Sequence, residues 1–359
     1  MSDLNFNERE LAIIRAIADG LSNIEIAETL VISVNTVRWY NKQIYGKMGV
    51  HSRTLAVARA RELGLIDGQE PSVGKQSAFL PEQRVYFTPS FDGVRIAYAI
   101  AGEGPALVKT ANYLSHLEFD WHSPIWRHWM RMLSSQHRLI RYDERGTGLS
   151  DWEVDDLSFD SWVRDLEAVV EAAGLERFAL MGLSQGGPVA IAYAAQHPER
   201  VSHLLLFGAY ARGWLNRDLT DVQLAEERLL IDAMRIGWGR ADPIFARVHS
   251  AQMIPEPSSE ILRALDELAR ISATPENAAK LETEMHQIDV RHLAPQVQAP
   301  TLVLHPRHDR GVPFEEGRLL ASLIPNAQFV PLESRNHVLL EDEPAWEKFV
   351  TAVQAFLAG

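Results

Sequence analysis

The 359-residue chain has no cysteine. That absence removes disulfides, thiolate zinc sites and thiol nucleophiles together, and it is compatible with a reducing cytoplasm, the expected location. Long apolar runs are missing too. No stretch approaches the roughly 18 uninterrupted apolar residues that a membrane span needs, so no membrane partner is expected. The N-terminus, MSDLNFNERE, is acidic and polar, which does not read as a secretory signal. Positive charge is scarce overall, 35 Lys and Arg against 48 Asp and Glu, for a formal net charge of −13. Spread evenly, that balance would argue against nucleic acid. Apolar residues, 46% of the chain, still supply a sizeable core, and the length suggests about two domains.

The charge is not spread evenly. Residues 1–65 carry eight basic and seven acidic side chains, leaving −14 on the other 294 residues. Within residues 31–61 stand Arg38, Lys42, Lys47, Arg53, Arg59 and Arg61, with no acid between them. A basic head on an acidic body is the asymmetry expected of a small nucleic-acid reader, although a solvated helix face gives the same charge count. Pattern has to decide between them.

The head reads as all helix. Asn7 and Glu10 have capping-box spacing, followed by Leu11, Ile14 and Ala18 at helical intervals and a stop at Gly20. Ser22 and Ser33 cap two further helices. The second of these turns Val34, Val37 and Ile44 inward and Arg38, Lys42 and Lys47 outward, and a fourth helix runs over residues 53–63. The expected boundaries are a head at 1–67, a linker at 68–82 and a body at 83–359. In the body, β-rich runs (85–89, 94–101, 106–109, 138–143, 178–182, 203–208, 301–305, 328–332) alternate with helical stretches, and a helix closes the chain at 344–357. That alternation predicts a mostly parallel sheet with helices on both faces. Residues 211–292 interrupt it as a helical cap.

One motif carries chemistry. Gly182-Leu183-Ser184-Gln185-Gly186 lies between a predicted strand and a predicted helix. A bare GxSxG is weak, but glycines at a strand-to-helix turn permit the tight backbone that lifts a serine above the sheet edge. A serine at neutral pH needs a base, and the base needs an orienting acid. Asp309 and His337 each follow a predicted strand, at the carboxyl edge where open α/β sheets build sites. With the run YDERGTGLSD at 142–151 and the stretch from His305 to Pro313, residues 83–359 resemble the α/β-hydrolase fold family. The resemblance implies a catalytic Ser184, Asp309 and His337, and backbone oxyanion donors at Gln185 and Tyr113. The family's His-Gly-aromatic run after the third strand is replaced by Ala111, Asn112 and Tyr113.

Aromatic density suggests a pocket. Residues 116–130 hold three tryptophans and three histidines. Asn112, Trp121, Trp126, Trp214, Trp238 and Met253 are the candidate ligand-pocket residues, against the plainer reading of ordinary packing. No histidine has metal-ligand spacing, and neither a metal nor a cofactor is expected.

The head resembles the LuxR-type helix-turn-helix domain through NERE at 7–10, Gly20, the run at 22–27, Ile32-Ser33, Thr36-Val37-Arg38, Ile44, Lys47, Gly49-Val50 and Arg53. Tyr40 and Gln43 depart from its usual His and Asn. The resemblance implies that the helix after Ser33 enters the major groove of double-stranded DNA. Ser33, Thr36, Arg38, Trp39, Lys42, Lys47 and Arg53 are then the candidate DNA-binding residues. Two heads on symmetric half-sites bind far better than one, so a homodimer is expected. The whole is a multidomain chain: a small all-α head joined to an α/β-hydrolase fold with a helical cap. The expected function is a ligand-responsive transcription regulator that senses a small-molecule ligand or substrate. The alternative is a serine hydrolase of esters, lactones or amides held on DNA.

Overall fold

The first helix is fixed by its own two side chains. Asn7 Oδ1 accepts from the Glu10 N–H at 2.8 Å, and Glu10 Oε2 accepts from the Asn7 N–H at 2.9 Å. Two of the orphan donors at a helix start are satisfied reciprocally. A computed structural model of the chain describes residues 6–18, 21, 26–27, 29–30, 32, 34–48, 50, 56–57, 59–60, 63–66, 81–239 and 250–359. The chain divides into two compact units, Met1–Ala78 and Phe79–Gly359.

In the smaller unit, α1 (Glu8–Ala18) and α2 (Val34–Met48) are the described helices. Ile13, Ile14, Ile17, Ile26, Val37, Ile44, Met48, Ala56 and Ala60 form one buried cluster, which gives the unit a core of its own. Glu10 is buried as well. Lys47 Nζ donates to both of its oxygens at 2.7 Å. Burial pushes the Glu10 carboxyl up, but the Lys47 and Asn7 hydrogen bonds outweigh that and hold it below the ordinary carboxylate range.

The larger unit is built on an eight-stranded sheet ordered β1-β2-β4-β3-β5-β6-β7-β8. The strands are β1 (Arg84–Pro89), β2 (Arg95–Ala101), β3 (Ala106–Lys109), β4 (Arg138–Tyr142), β5 (Phe178–Leu183), β6 (Val201–Phe207), β7 (Thr301–Pro306) and β8 (Gln328–Leu332). β2 pairs antiparallel with both β1 and β4, and every other pair is parallel. The eight predicted runs and the eight strands coincide to within two residues at either end.

Side-chain alternation divides the core in two. Leu180, Leu204 and Leu206 point to one face, where they meet Trp162, Leu166 and Val169 of α5 (Phe159–Ala172) and Tyr193 of α6 (Gly186–Gln196). Met181, Leu205 and Phe207 point to the other. There Trp129 of α4 (Arg127–Ser134) is fully buried, its ring 5.0 Å from Phe207 and 4.6 Å from Phe349 of α11 (Pro344–Leu357). α3 (Leu117–His122) precedes α4, and α10 (Phe314–Leu323) joins β7 to β8. Between β6 and β7 the chain leaves the sheet through α7 (Asp221–Gly237), α8 (Ser259–Ser272) and α9 (Pro275–Gln287). Capping explains where these start. Thr220, Ser258 and Thr274 each accept from the backbone N–H three residues on.

The run at 142–151 is a scaffold. Asp143, fully buried, accepts from Ser115 Oγ at 2.8 Å and from the N–H groups of Leu117 at 3.1 Å and Leu149 at 2.8 Å. Arg145 grips Asp165 through Nε at 2.7 Å and Nη2 at 2.6 Å, a bidentate buried pair. Among the described residues, no helix is long and apolar enough to cross a membrane.

Candidate active site and nucleic-acid interface

Ser184 sits on the turn from β5 into α6 with φ +51°, in the left-handed region that a side chain adopts only under local constraint. Its N–H donates to Phe207 O at 3.0 Å, and its carbonyl accepts from the Gly187 N–H at 2.9 Å. Both flanking glycines are required by space. A Cβ on Gly182 would lie 2.6 Å from Gly187 Cα, and one on Gly186 would strike Thr110 and the Ala111 carbonyl. The one-residue grammar of GxSxG is therefore steric.

β7 and β8 bring the other two members together. His337 Nδ1 and Asp309 Oδ2 are 2.6 Å apart, and both side chains are buried. Asp309 is anchored through its other oxygen, Oδ1, by the N–H groups of Gly311 at 2.8 Å and Val312 at 3.0 Å. The His337 N–H donates to Met253 O at 2.8 Å, which ties the histidine loop to the segment before α8. Ser184 and His337 line one cavity. His305 lies behind them. Its Nε2 is 3.0 Å from Val312 O and 3.7 Å from Asp309 Oδ2, and burial holds its pKa below the usual imidazole value. His308 is exposed and pairs with Glu333 at 3.1 Å.

The Gln185 N–H has no hydrogen-bond partner among the described residues, and it stands at the start of α6, where backbone donors and the positive dipole end converge. The Gln185 side chain is held away from the cavity. Its Nε2 donates to Glu144 Oε2 at 2.7 Å. Burial pushes the Glu144 carboxyl up to about 8, against the pull of that hydrogen bond. On the β3 side, Asn112 Oδ1 accepts from the buried Lys109 ammonium, and Asn112 Nδ2 donates to Tyr113 O at 3.2 Å. Burial lowers Lys109 to about 7. Leu114 follows with φ +58°, so two of the three positive-φ non-glycine residues among those described flank this site.

The cavity is partly open to solvent. Asn112, Tyr113, Trp214 and Met253 line it. Trp126 and Trp238 line a neighbouring apolar cavity, with Tyr113 and Met253 shared between the two. Trp121 lines neither. It is buried in the second core layer, and the Arg141 guanidinium lies 5.4 Å from its ring, so packing accounts for it. Sequence reasoning missed Tyr210, Arg217, Glu227, Glu282 and His286, all of which line the larger cavity. The available signal was the four-residue spacing of Glu282 and His286 on α9, now 3.2 Å apart.

In the smaller unit, Trp39 is 57% exposed on α2, while Val37 and Ile44 face the core. Thr36 is half-buried. Arg38 and Lys42 lie on α2, but their side chains fall outside the described set, and Ser33 and Arg53 lie outside the described residues altogether. The Lys47 side chain is 37% exposed and its ammonium is paired with Glu10.

Comparison with known proteins agrees with both halves. The alpha/beta hydrolase fold model matches residues 115–344, and the model for bacterial regulatory proteins, luxR family, matches residues 5–60. The chain is 27% identical over 263 residues to a pyrrolizixenacetamide deacetylase of Xenorhabdus hominickii, covering 73% of this chain and 94% of that protein. It is 28% identical over 247 residues to a putative carbamate hydrolase, RutD, of Azorhizobium caulinodans, covering 67% and 87%. Among solved structures, an esterase from Exiguobacterium antarcticum superposes with TM-score 0.66 at 22% identity, over 77% of this chain and all of that one. An enol-lactonase from Burkholderia xenovorans gives 0.57 at 23%, over 76% of this chain and all of that one. A buried eight-stranded sheet, a serine on its strained turn and these matches make the chain a member of the α/β-hydrolase fold family, with a LuxR-family helix-turn-helix domain at its N-terminal end.

Proposed function

We propose that the chain is a DNA-binding regulator whose hydrolase-fold body takes up a small molecule at the Ser184–His337 cavity. The observation that carries this is the union, in one chain, of a LuxR-family domain and a cavity lined by a serine and a histidine. Free enzymes have no physical need to read DNA. A ligand that binds the body more tightly in one arrangement than another biases the placement of two heads on a duplex, and a homodimer supplies the second head. Thr36, Trp39, Arg38 and Lys42 meet bases and backbone, with Ser33 and Arg53 at phosphates.

A specific observation favours a second reading, in which the body also hydrolyses its ligand. The 2.6 Å His337–Asp309 contact is the geometry of a base held in one tautomer. Ser184 Oγ attacks the carbonyl carbon of an ester, lactone or amide while its proton passes to His337 Nε2. The oxyanion takes hydrogen bonds from the Gln185 N–H and, on the other side, the Tyr113 N–H. His337 returns the proton to the leaving oxygen or nitrogen as the carbonyl–heteroatom bond breaks. Water then repeats the sequence on the acyl-serine. Relatives named as a deacetylase and a carbamate hydrolase support acyl-transfer chemistry of this class.

One experiment tests both readings. Wild type and Ser184→Ala are assayed with a fluorogenic short-chain ester and, in parallel, for binding to duplex DNA across a salt series. DNA binding with a steep salt dependence is expected from both proteins. Turnover is expected from wild type alone. Absence of DNA binding at low salt removes the regulator reading, and equal ester turnover by the two proteins removes the serine.

A further inference from the structure

The cap wall of the cavity leaves three buried polar atoms without partners among the described residues: Tyr210 Oη, Arg217 Nη1 and Glu282 Oε2. All three residues line the cavity that Ser184 and His337 share. Tyr210 is 5% exposed and the Arg217 side chain 8%, so water does not reach these atoms freely. A buried polar atom left unpaired is destabilising, so three around one cavity call for a partner.

Their surroundings fix what that partner must be. Arg217 is held in place, with its guanidinium 4.7 Å from the Trp214 ring and its Nε donating to Arg212 O at 3.2 Å. The Glu316 carboxylate, 3.7 Å away, is shared with Arg212. Glu282 uses its other oxygen on His286, which also lies 3.5 Å from Glu227. The wall therefore presents two donors, the tyrosine hydroxyl and the guanidinium, beside one acceptor. A carboxylate would answer the donors but leave Glu282 unpaired and place a third anion beside two. An ammonium would answer Glu282 and leave Arg217 unpaired. A carbonyl accepts two hydrogen bonds and an amide N–H donates one, with no net charge added.

Resting on the reading of the cavity as the Ser184 substrate site, we infer that the ligand carries a neutral amide, carbamoyl or ureido group remote from its reacting carbonyl. Tyr210, Arg217 and Glu282 recognise that group. The substrate class is thus an ester or amide with a carbamoyl-type head.

Substituted phenylboronic acids test this, because boron accepts Ser184 Oγ directly while the hydroxyl proton passes to His337. Affinities for the full-length protein are measured by calorimetry with phenylboronic acid and with its 3-carbamoyl, 4-carbamoyl, 4-carboxy and 4-aminomethyl derivatives. A carbamoyl compound is expected to bind roughly tenfold tighter than phenylboronic acid and tighter than either charged compound. Tyr210→Phe deletes an atom with no partner among the described residues, so the fold should tolerate it, and it is expected to lower the carbamoyl-to-phenyl ratio several-fold. Glu282→Gln should lower the same ratio. Preference for the carboxy or aminomethyl compound, or a ratio that Tyr210→Phe leaves intact, overturns the inference. Phenylboronic acid binding without a carbamoyl gain sinks it alone. Failure of every boronate to bind sinks the Ser184 reading and the inference with it.

Discussion

Buried polarity is treated in opposite ways at two places in the molecule, one in each unit. In the head, Glu10 is buried with both oxygens engaged, by the Asn7 N–H and by Lys47. In the body, Tyr210, Arg217 and Glu282 are buried around a cavity with atoms left over. A saturated buried group holds a fold together. An unsaturated one beside a cavity is a demand for something outside the chain. Trp39 stands exposed on α2, whereas Ser184 and His337 line a cavity.

The sharpest way to break that contrast is to remove the body's reactive atom. Ser184→Ala is expected to lower kcat/KM for a short-chain ester at least about a thousandfold while leaving DNA affinity unchanged. Loss of DNA binding in this variant would mean that the two units are not separable. Next in size is the head's surface. Lys42→Ala should weaken duplex binding several-fold at ~0.1 M salt and reduce the log–log salt slope by about one, read by fluorescence anisotropy. An unchanged slope would place Lys42 away from phosphate.

A smaller effect is expected where the head is saturated. Lys47→Ala strips the partner from the Glu10 carboxylate. Because the Lys47 side chain is 37% exposed, water screens the pair, and a loss near 1 kcal/mol in the head's unfolding is expected, with the body's transition unmoved. A fall in DNA affinity larger than this loss explains would instead identify Lys47 as a phosphate contact.

The smallest effect is a slope. Burial raises the Glu144 carboxyl to about 8, so the folded body holds a proton there that the unfolded chain releases nearer the ordinary carboxylate range. This stabilisation is complete at low pH and is lost as pH rises toward 8. Glu144→Gln keeps a carbonyl for Gln185 and removes the titration. Its melting temperature relative to wild type should therefore climb between pH 5 and 8, and a flat difference would show that Glu144 is not held protonated.

Much of this was legible in the sequence because it depends on local rules. The eight strands followed from apolar runs bounded by turn residues, and the serine turn from its glycine spacing. Asp309 and His337 followed from standing just past predicted strands. The cap wall was not legible. Helical period shows which side of α9 is apolar, but not that Arg217, in the loop before α7, and Glu282 of α9 line one cavity. Trp121 misled for the related reason that aromatic density marks packing as readily as a pocket, and here the ring lies against Arg141.

The order of the site along the chain has a further consequence. In the hydrolase reading its nucleophile is residue 184, whereas its acid and base are residues 309 and 337, near the C-terminal end of the sequence. During synthesis at about 5–20 residues per second, the DNA-reading helices leave the ribosome roughly 15–55 s before His337 does. A nascent or prematurely terminated polypeptide would thus present a grip on the chromosome with no working chemistry behind it. Truncation products of this gene are expected to act as competitors at its binding sites, not as stray hydrolases.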